Sequence, residues 1–228
     1  MNKTLRASLI LPLLFLGHSL FGQAFNLRTK SLTVAFQVGH DGRLYQYPIG
    51  LPAGEKLLRD QESYPQAGDG YVWEPALEAV HADGNTSTAL LFEGEDQTHE
   101  PPDITLTRVH LRDAAYPFHV TLCFRSHYDE DVIEQWAEIR HRERGIVTLQ
   151  RMASTSLLFS TNVLLTHFFG DWSREMMEPI TEGLTPGIKA LDSKLGVRAD
   201  QFENPSFIRS LNGPASETNG GFILRLDR

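Results

Sequence analysis

The sequence predicts an all-β fold, an antiparallel β-sandwich, on three observations. Apolar residues recur with a period of two, Asp-Gly pairs sit between such runs, and Pro- and Gly-rich punctuation returns at short intervals. The first run sets Leu32, Val34, Phe36 and Val38 against Thr33, Ala35 and Gln37. One face is apolar and the other mixed, as a half-buried strand requires. Asp41-Gly42 follows, then a short apolar run over residues 44–47. Asp and Gly tolerate the positive φ of a tight turn, so this reads as a hairpin. Asp83-Gly84 repeats the device between residues 77–81 and 88–92.

Farther on, Ile104 and Leu106 share one parity and Val109 and Leu111 the other, the slip expected of a β-bulge in that strand. Val120, Leu122 and Phe124 alternate, as do Phe222, Leu224 and Leu226. Residues 132–140 fit a helix face as well as a strand; strands on both sides favour a strand. Further turns are marked by Pro52-Ala53-Gly54, Pro101-Pro102, Gly183 to Gly187, Asn212-Gly213-Pro214 and Asn219-Gly220-Gly221. There is no fixed-period repeat and no linker, so residues 25–228 read as one domain. Solvent-exposed edge strands would invite pairing with another chain.

Composition fits this picture. The chain has 228 residues, 41% hydrophobic and 22% charged, which excludes a mainly disordered protein. Its net charge of −8 argues against nucleic acid as a partner. The single cysteine, Cys123, excludes an internal disulfide and a Cys-based zinc site. Residues 1–24 read as a secretory signal: Lys3 and Arg6 precede the apolar residues 9–16, and Gly22-Gln23-Ala24 offers a cleavage site. Pro12 and His18 interrupt that stretch, which falls short of the ~20 apolar residues that span a bilayer. The expectation is a secreted or periplasmic protein with no membrane span. Cys123, between Leu122 and Phe124, should then be buried.

Catalytic signals are sparse. His40, His81, His99, His110, His119, His127, His141 and His167 form no zinc-type spacing, and no cofactor fingerprint is present, so neither metal nor cofactor is expected. Asp129-Glu130-Asp131 reads as a solvated turn between strands; as glycosidase carboxylates these residues would have to face each other across a substrate. Asn85-Thr86-Ser87 is a glycosylation sequon.

Two stretches stand apart. Residues 64–77 pack aromatics and glycines into a loop that enters a strand, and residues 165–175 place Trp172 between Asp171 and Arg174 beside Gly170. Aromatic faces stack on sugar C–H faces, and Asp and Arg bind hydroxyls; core aromatics at strand ends would look the same.

At these stretches the chain resembles the N-terminal β-supersandwich domain of glycoside hydrolase family 36, the α-galactosidases. Tyr64-Pro65, Gly68, Gly70 and Glu74-Pro75-Ala76 match the family's loop, and His81-Ala82-Asp83-Gly84 follows in register. Gly170 to Glu175, Glu203 to Ser206 and Asp129 to Ile133 resemble three further family segments. The resemblance implies an exported α-galactosidase acting on terminal α-linked galactose of oligosaccharides. Its catalytic aspartates lie on a (β/α)8 barrel that follows this domain, so no catalytic residue is expected in residues 25–228 and the sandwich itself would be incomplete at its C-terminus. The domain would pack on the barrel, in a possible homo-oligomer, and wall a galactose subsite. Tyr71 and Trp73 stand where the family has Asp and Arg; Asp69 would replace that Asp, and Trp172 matches a wall tryptophan. Asp69, Tyr71, Trp73 and Trp172 are therefore the expected substrate-binding residues. The alternatives are a free-standing carbohydrate-binding or interaction module and a truncated product without function.

Overall fold

Thirteen strands and no α-helix make up a computed structural model that describes residues 22–49, 61–159, 163–171, 174–184, 189, 202–211 and 221–224. Every strand ladder is antiparallel. Residues 1–21 of the predicted leader, the Pro52-Ala53-Gly54 and Asn212-Gly213-Pro214 turns, and Trp172 lie outside the described residues.

The described chain divides into two compact units. The first holds three sheets. Strands β1 (Ala24–Arg28), β2 (Thr33–Val38) and β3 (Leu44–Gln46) form one in that order. Strands β5 (Leu90–Glu100), β6 (Ile104–Asp113), β7 (Phe118–His127) and β8 (Val132–His141) form a four-stranded meander. Strand β4 (Leu77–Val80) pairs with β9 (Thr148–Met152). The period-two pattern builds the core: Val34, Phe36 and Val38 are buried on β2, and Phe118, Val120, Leu122 and Phe124 on β7. Phe36 joins the two larger sheets, its ring stacked on Phe25 at 5.0 Å and tilted against Phe124 at 5.4 Å.

The second unit contains β10 (Val163–Asp171), β11 (Arg174–Gly183), β12 (Phe202–Leu211) and β13 (Gly221–Leu224), in the order β11-β10-β12-β13. Leu165, Thr166 and His167 are consecutively buried on β10, as a strand flanked on both sides and covered on both faces requires.

Two sequence expectations need correction. The Asp83-Gly84 turn forms, with Gly84 at φ +87° and its amide donating to the His81 carbonyl at 2.9 Å. Its flanking segments do not make a hairpin, because β4 pairs with β9 and β5 with β6. The bulge lies not on β6 but on its neighbour, where Phe92 and Gly94 of β5 face the adjacent Leu111 and His110. The register of β6 against β7 is unbroken, so Leu106 simply points to the face opposite Val109 and Leu111. Cys123 is buried as expected, on the sheet face opposite Leu122 and Phe124, and its thiol lies 3.6 Å from Glu138 Oε1. Burial first, and the Glu138 carboxylate second, push that thiol up to about 11.

Candidate functional site

Residues 68–75 form a loop whose two ends are closed together by backbone hydrogen bonds. The Ala67 amide donates to the Leu77 carbonyl at 2.9 Å, and the Ala76 amide donates to the Pro65 carbonyl at 2.9 Å. The segment entering the loop is core: Glu62, Ser63, Tyr64 and Gln66 are buried. The Tyr64 hydroxyl donates to the Ala153 carbonyl at 2.7 Å, and burial raises it to about 12. Gly68, at φ +92°, lies so close to Ser87 that a β-carbon would come 2.5 Å from the Ser87 Cα; glycine alone fits there. The Ser87 hydroxyl in turn donates to the Gly68 carbonyl at 3.2 Å.

On this fixed stem the tip points outward. Val72 is 83% and Trp73 65% exposed, and Tyr71 is half-buried. Glu74 pairs with Arg151 on β9, and Arg151 also lies 3.5 Å from Glu78 of β4. A large aromatic side chain left in water on a closed loop forgoes the hydrophobic gain of burial, the usual mark of a contact surface.

The structure brings Asp69, Tyr71 and Trp73 together on this loop. Asp69, one-third exposed, pairs with the Arg43 guanidinium. That buried cation also meets Glu62 at 3.1 Å, Gln66 at 3.5 Å and Asp41 at 3.6 Å. A sugar hydroxyl reaching Asp69 would share the carboxylate with Arg43. In the second unit, Asp171 of β10 stands opposite Arg174 of β11 in the strand register.

The match at His81 has a structural basis. His81 is buried, with Nδ1 2.8 Å from Glu143 and Nε2 3.1 Å from the Thr88 hydroxyl, its ring stacked on Tyr116 at 3.8 Å. Burial alone would raise the Glu143 carboxyl, but hydrogen bonds from the Ala82 amide and from His81 outweigh it and hold Glu143 below its usual range. The acidic turn is likewise structural: Asp131 ties itself to Thr29 and Ser31, and Asp103 accepts from the Asp129 amide at 2.8 Å. Among the described residues, no cluster of three or more His, Cys, Asp or Glu is placed to hold a metal. Arg43 and Glu62 were missed at the sequence level, since an arginine just after Asp-Gly reads as a solvated turn.

Fold and loop together define the class: an all-β, antiparallel protein carrying an exposed aromatic loop on a buried ionic anchor. Within that class the chain belongs to the glycosyl hydrolase family 36 N-terminal domain, whose sequence profile matches residues 16–223. It is 24% identical over 173 residues to alpha-galactosidase C of Emericella nidulans, covering 70% of this chain and 22% of that protein. The GH36 alpha-galactosidase AgaB of Geobacillus stearothermophilus superposes with a TM-score of 0.74 at 20% identity, over 83% of this chain and 31% of that one. The alpha-galactosidase of Lactobacillus brevis does so with a TM-score of 0.72 at 19% identity, over 84% and 31%. At these identities the likeness to solved structures establishes the fold. The chain spans under a third of the length of each of these relatives.

Proposed function

We propose that this chain is the N-terminal domain of an exported α-galactosidase, which removes terminal α-linked galactose from oligosaccharides. The chemistry belongs to a catalytic barrel of the kind its family relatives carry. Retaining hydrolysis needs a nucleophile and an acid facing each other across the sugar, and the acidic turn that came nearest to this in sequence is occupied in tying strands together. The domain supports the barrel, and the loop of residues 68–75 walls a galactose subsite with Trp73 and Tyr71. Trp172 is assigned a substrate-binding role by the family resemblance alone.

The observation that carries this reading is the exposed Trp73 ring on a stem closed by backbone hydrogen bonds. A ring held at a fixed height can stack on a sugar without first being ordered. Solved relatives from Geobacillus stearothermophilus hold raffinose and stachyose, so raffinose is a suitable probe. Titrated into this chain and followed by protein fluorescence, raffinose should bind weakly, in the millimolar range (about −4 kcal/mol). Trp73→Ala should remove the response. An unchanged titration in Trp73→Ala would count against the subsite. Binding a thousand-fold tighter would favour a free-standing carbohydrate-binding module.

A further inference from the structure

We infer that Arg43 is the positioning residue of the Trp73 loop. Its buried guanidinium fixes where the aromatic tip stands, acting through Asp69 and never touching the ligand. Arg43 lies just before β3, between the Asp41-Gly42 turn and Leu44, and is 7% exposed. Its Nη1 donates to Glu62 at 3.1 Å and to Gln66 at 3.5 Å, both buried in the segment that enters the loop. Its Nη2 pairs with Asp69, within the loop itself and four residues before Trp73. One planar cation thus grips the loop at two heights, a geometry that the guanidinium fork permits and a lysine ammonium does not.

The surrounding bonds make the grip specific. Gln66 Nε2 donates to Glu62 Oε1 at 2.6 Å, and Gln66 Oε1 accepts from the Leu90 amide at 2.8 Å. Asp41 is held in turn by the Tyr45 hydroxyl at 2.7 Å. Glu62 and Gln66 are therefore tied to the core without Asp69. On the entering side, residues 68–73 are held by the Gly68–Ser87 contact and by the Asp69 ion pair with Arg43. Gly68 and Gly70 both adopt positive φ, so this side of the loop bends at two glycines. Without the charge at Asp69, the tip loses its ion pair with the buried Arg43 while the backbone bonds of the stem stay closed. The claim about loop order stands on geometry; its consequence for sugar rests on the proposed function.

The test uses the 228-residue chain with Arg43→Lys and Asp69→Asn, and Asp69→Glu as the charge-keeping control. Hydrogen exchange of residues 68–75, thermal melting and raffinose titration are read on each. In Asp69→Asn, exchange in the loop should rise about ten-fold while the melting temperature shifts little. Arg43→Lys keeps the charge but not the fork. It should loosen the loop and weaken raffinose about three-fold, although residue 43 lies beneath the loop. Asp69→Glu should restore most of the protection. Loop exchange unchanged in both Arg43→Lys and Asp69→Asn would overturn the inference. So would weaker raffinose binding by Asp69→Asn with a fully protected loop, since Asp69 would then contact the sugar directly. A loosened loop in a chain whose wild type binds no raffinose leaves the positioning role standing and removes the sugar subsite.

Discussion

The Asp131 carboxylate accepts a hydrogen bond from the Thr29 hydroxyl at 2.5 Å, across 102 residues of chain. The same carboxylate takes the Ser31 amide at 2.9 Å and the Ser31 hydroxyl. The turn between β7 and β8 is thereby tied to the turn between β1 and β2. Hydrogen bonds from the Ser31 and Thr29 hydroxyls and the Ser31 amide hold the Asp131 carboxyl down at about 2, against an ordinary value of 3.8. A depressed carboxyl stabilises the fold above its unfolded value and loses that contribution as pH falls through its folded one. Asp131→Asn should therefore melt lower than wild type at neutral pH, with the gap closing between 3.8 and about 2. Asn also tolerates the φ of +61° found here, so the substitution probes charge rather than backbone. A pH series of thermal melts on the two proteins checks this.

Phe36 is 1% exposed and contacts rings from β1 and β7. Phe36→Ala should cost about 3–5 kcal/mol in a denaturant melt, the range for truncating a buried aromatic. A loss below about 1 kcal/mol would place the core elsewhere.

Two glycines of the loop separate backbone strain from steric contact. Gly70, at φ +75°, has open space where a β-carbon would stand, whereas Gly68 faces the Ser87 backbone. Gly70→Ala should cost about 1 kcal/mol, the left-handed backbone penalty alone. Gly68→Ala should cost more and shift the loop. Denaturant melts and the chemical shift of the Ser87 amide give both readings.

Trp73 should matter little to folding. Its exposure predicts that Trp73→Ala changes stability by no more than about 0.5 kcal/mol. A loss of several kcal/mol would mean that the ring packs into the fold.

Much of this architecture could be read from residue order alone, and the exceptions share causes. β2 and β7 were legible because one face of each is apolar and the other is not. The far half of β5 was not, since residues 93–100 are polar or Gly on both faces and pair through backbone. β9 has all five residues exposed and carries no alternation. The Asp83-Gly84 turn was legible as local chemistry, but its strand partners depend on contacts about 70 residues away, which periodicity does not encode. At the site, the aromatic and glycine content of residues 64–77 marked the loop. What could not be read was that Asp69 would meet a buried cation, because Arg43 follows a turn motif and its burial is decided by Glu62 and Gln66 closing over it.

In the proposed function, this chain supports an α-galactosidase without itself performing the hydrolysis. Incubating the purified 228-residue chain with an aryl α-galactoside tests that most directly. No release of the aryl group above background is expected at any pH. Turnover that survives removal of host enzymes, and that disappears on substituting a carboxylate of this chain, would contradict it.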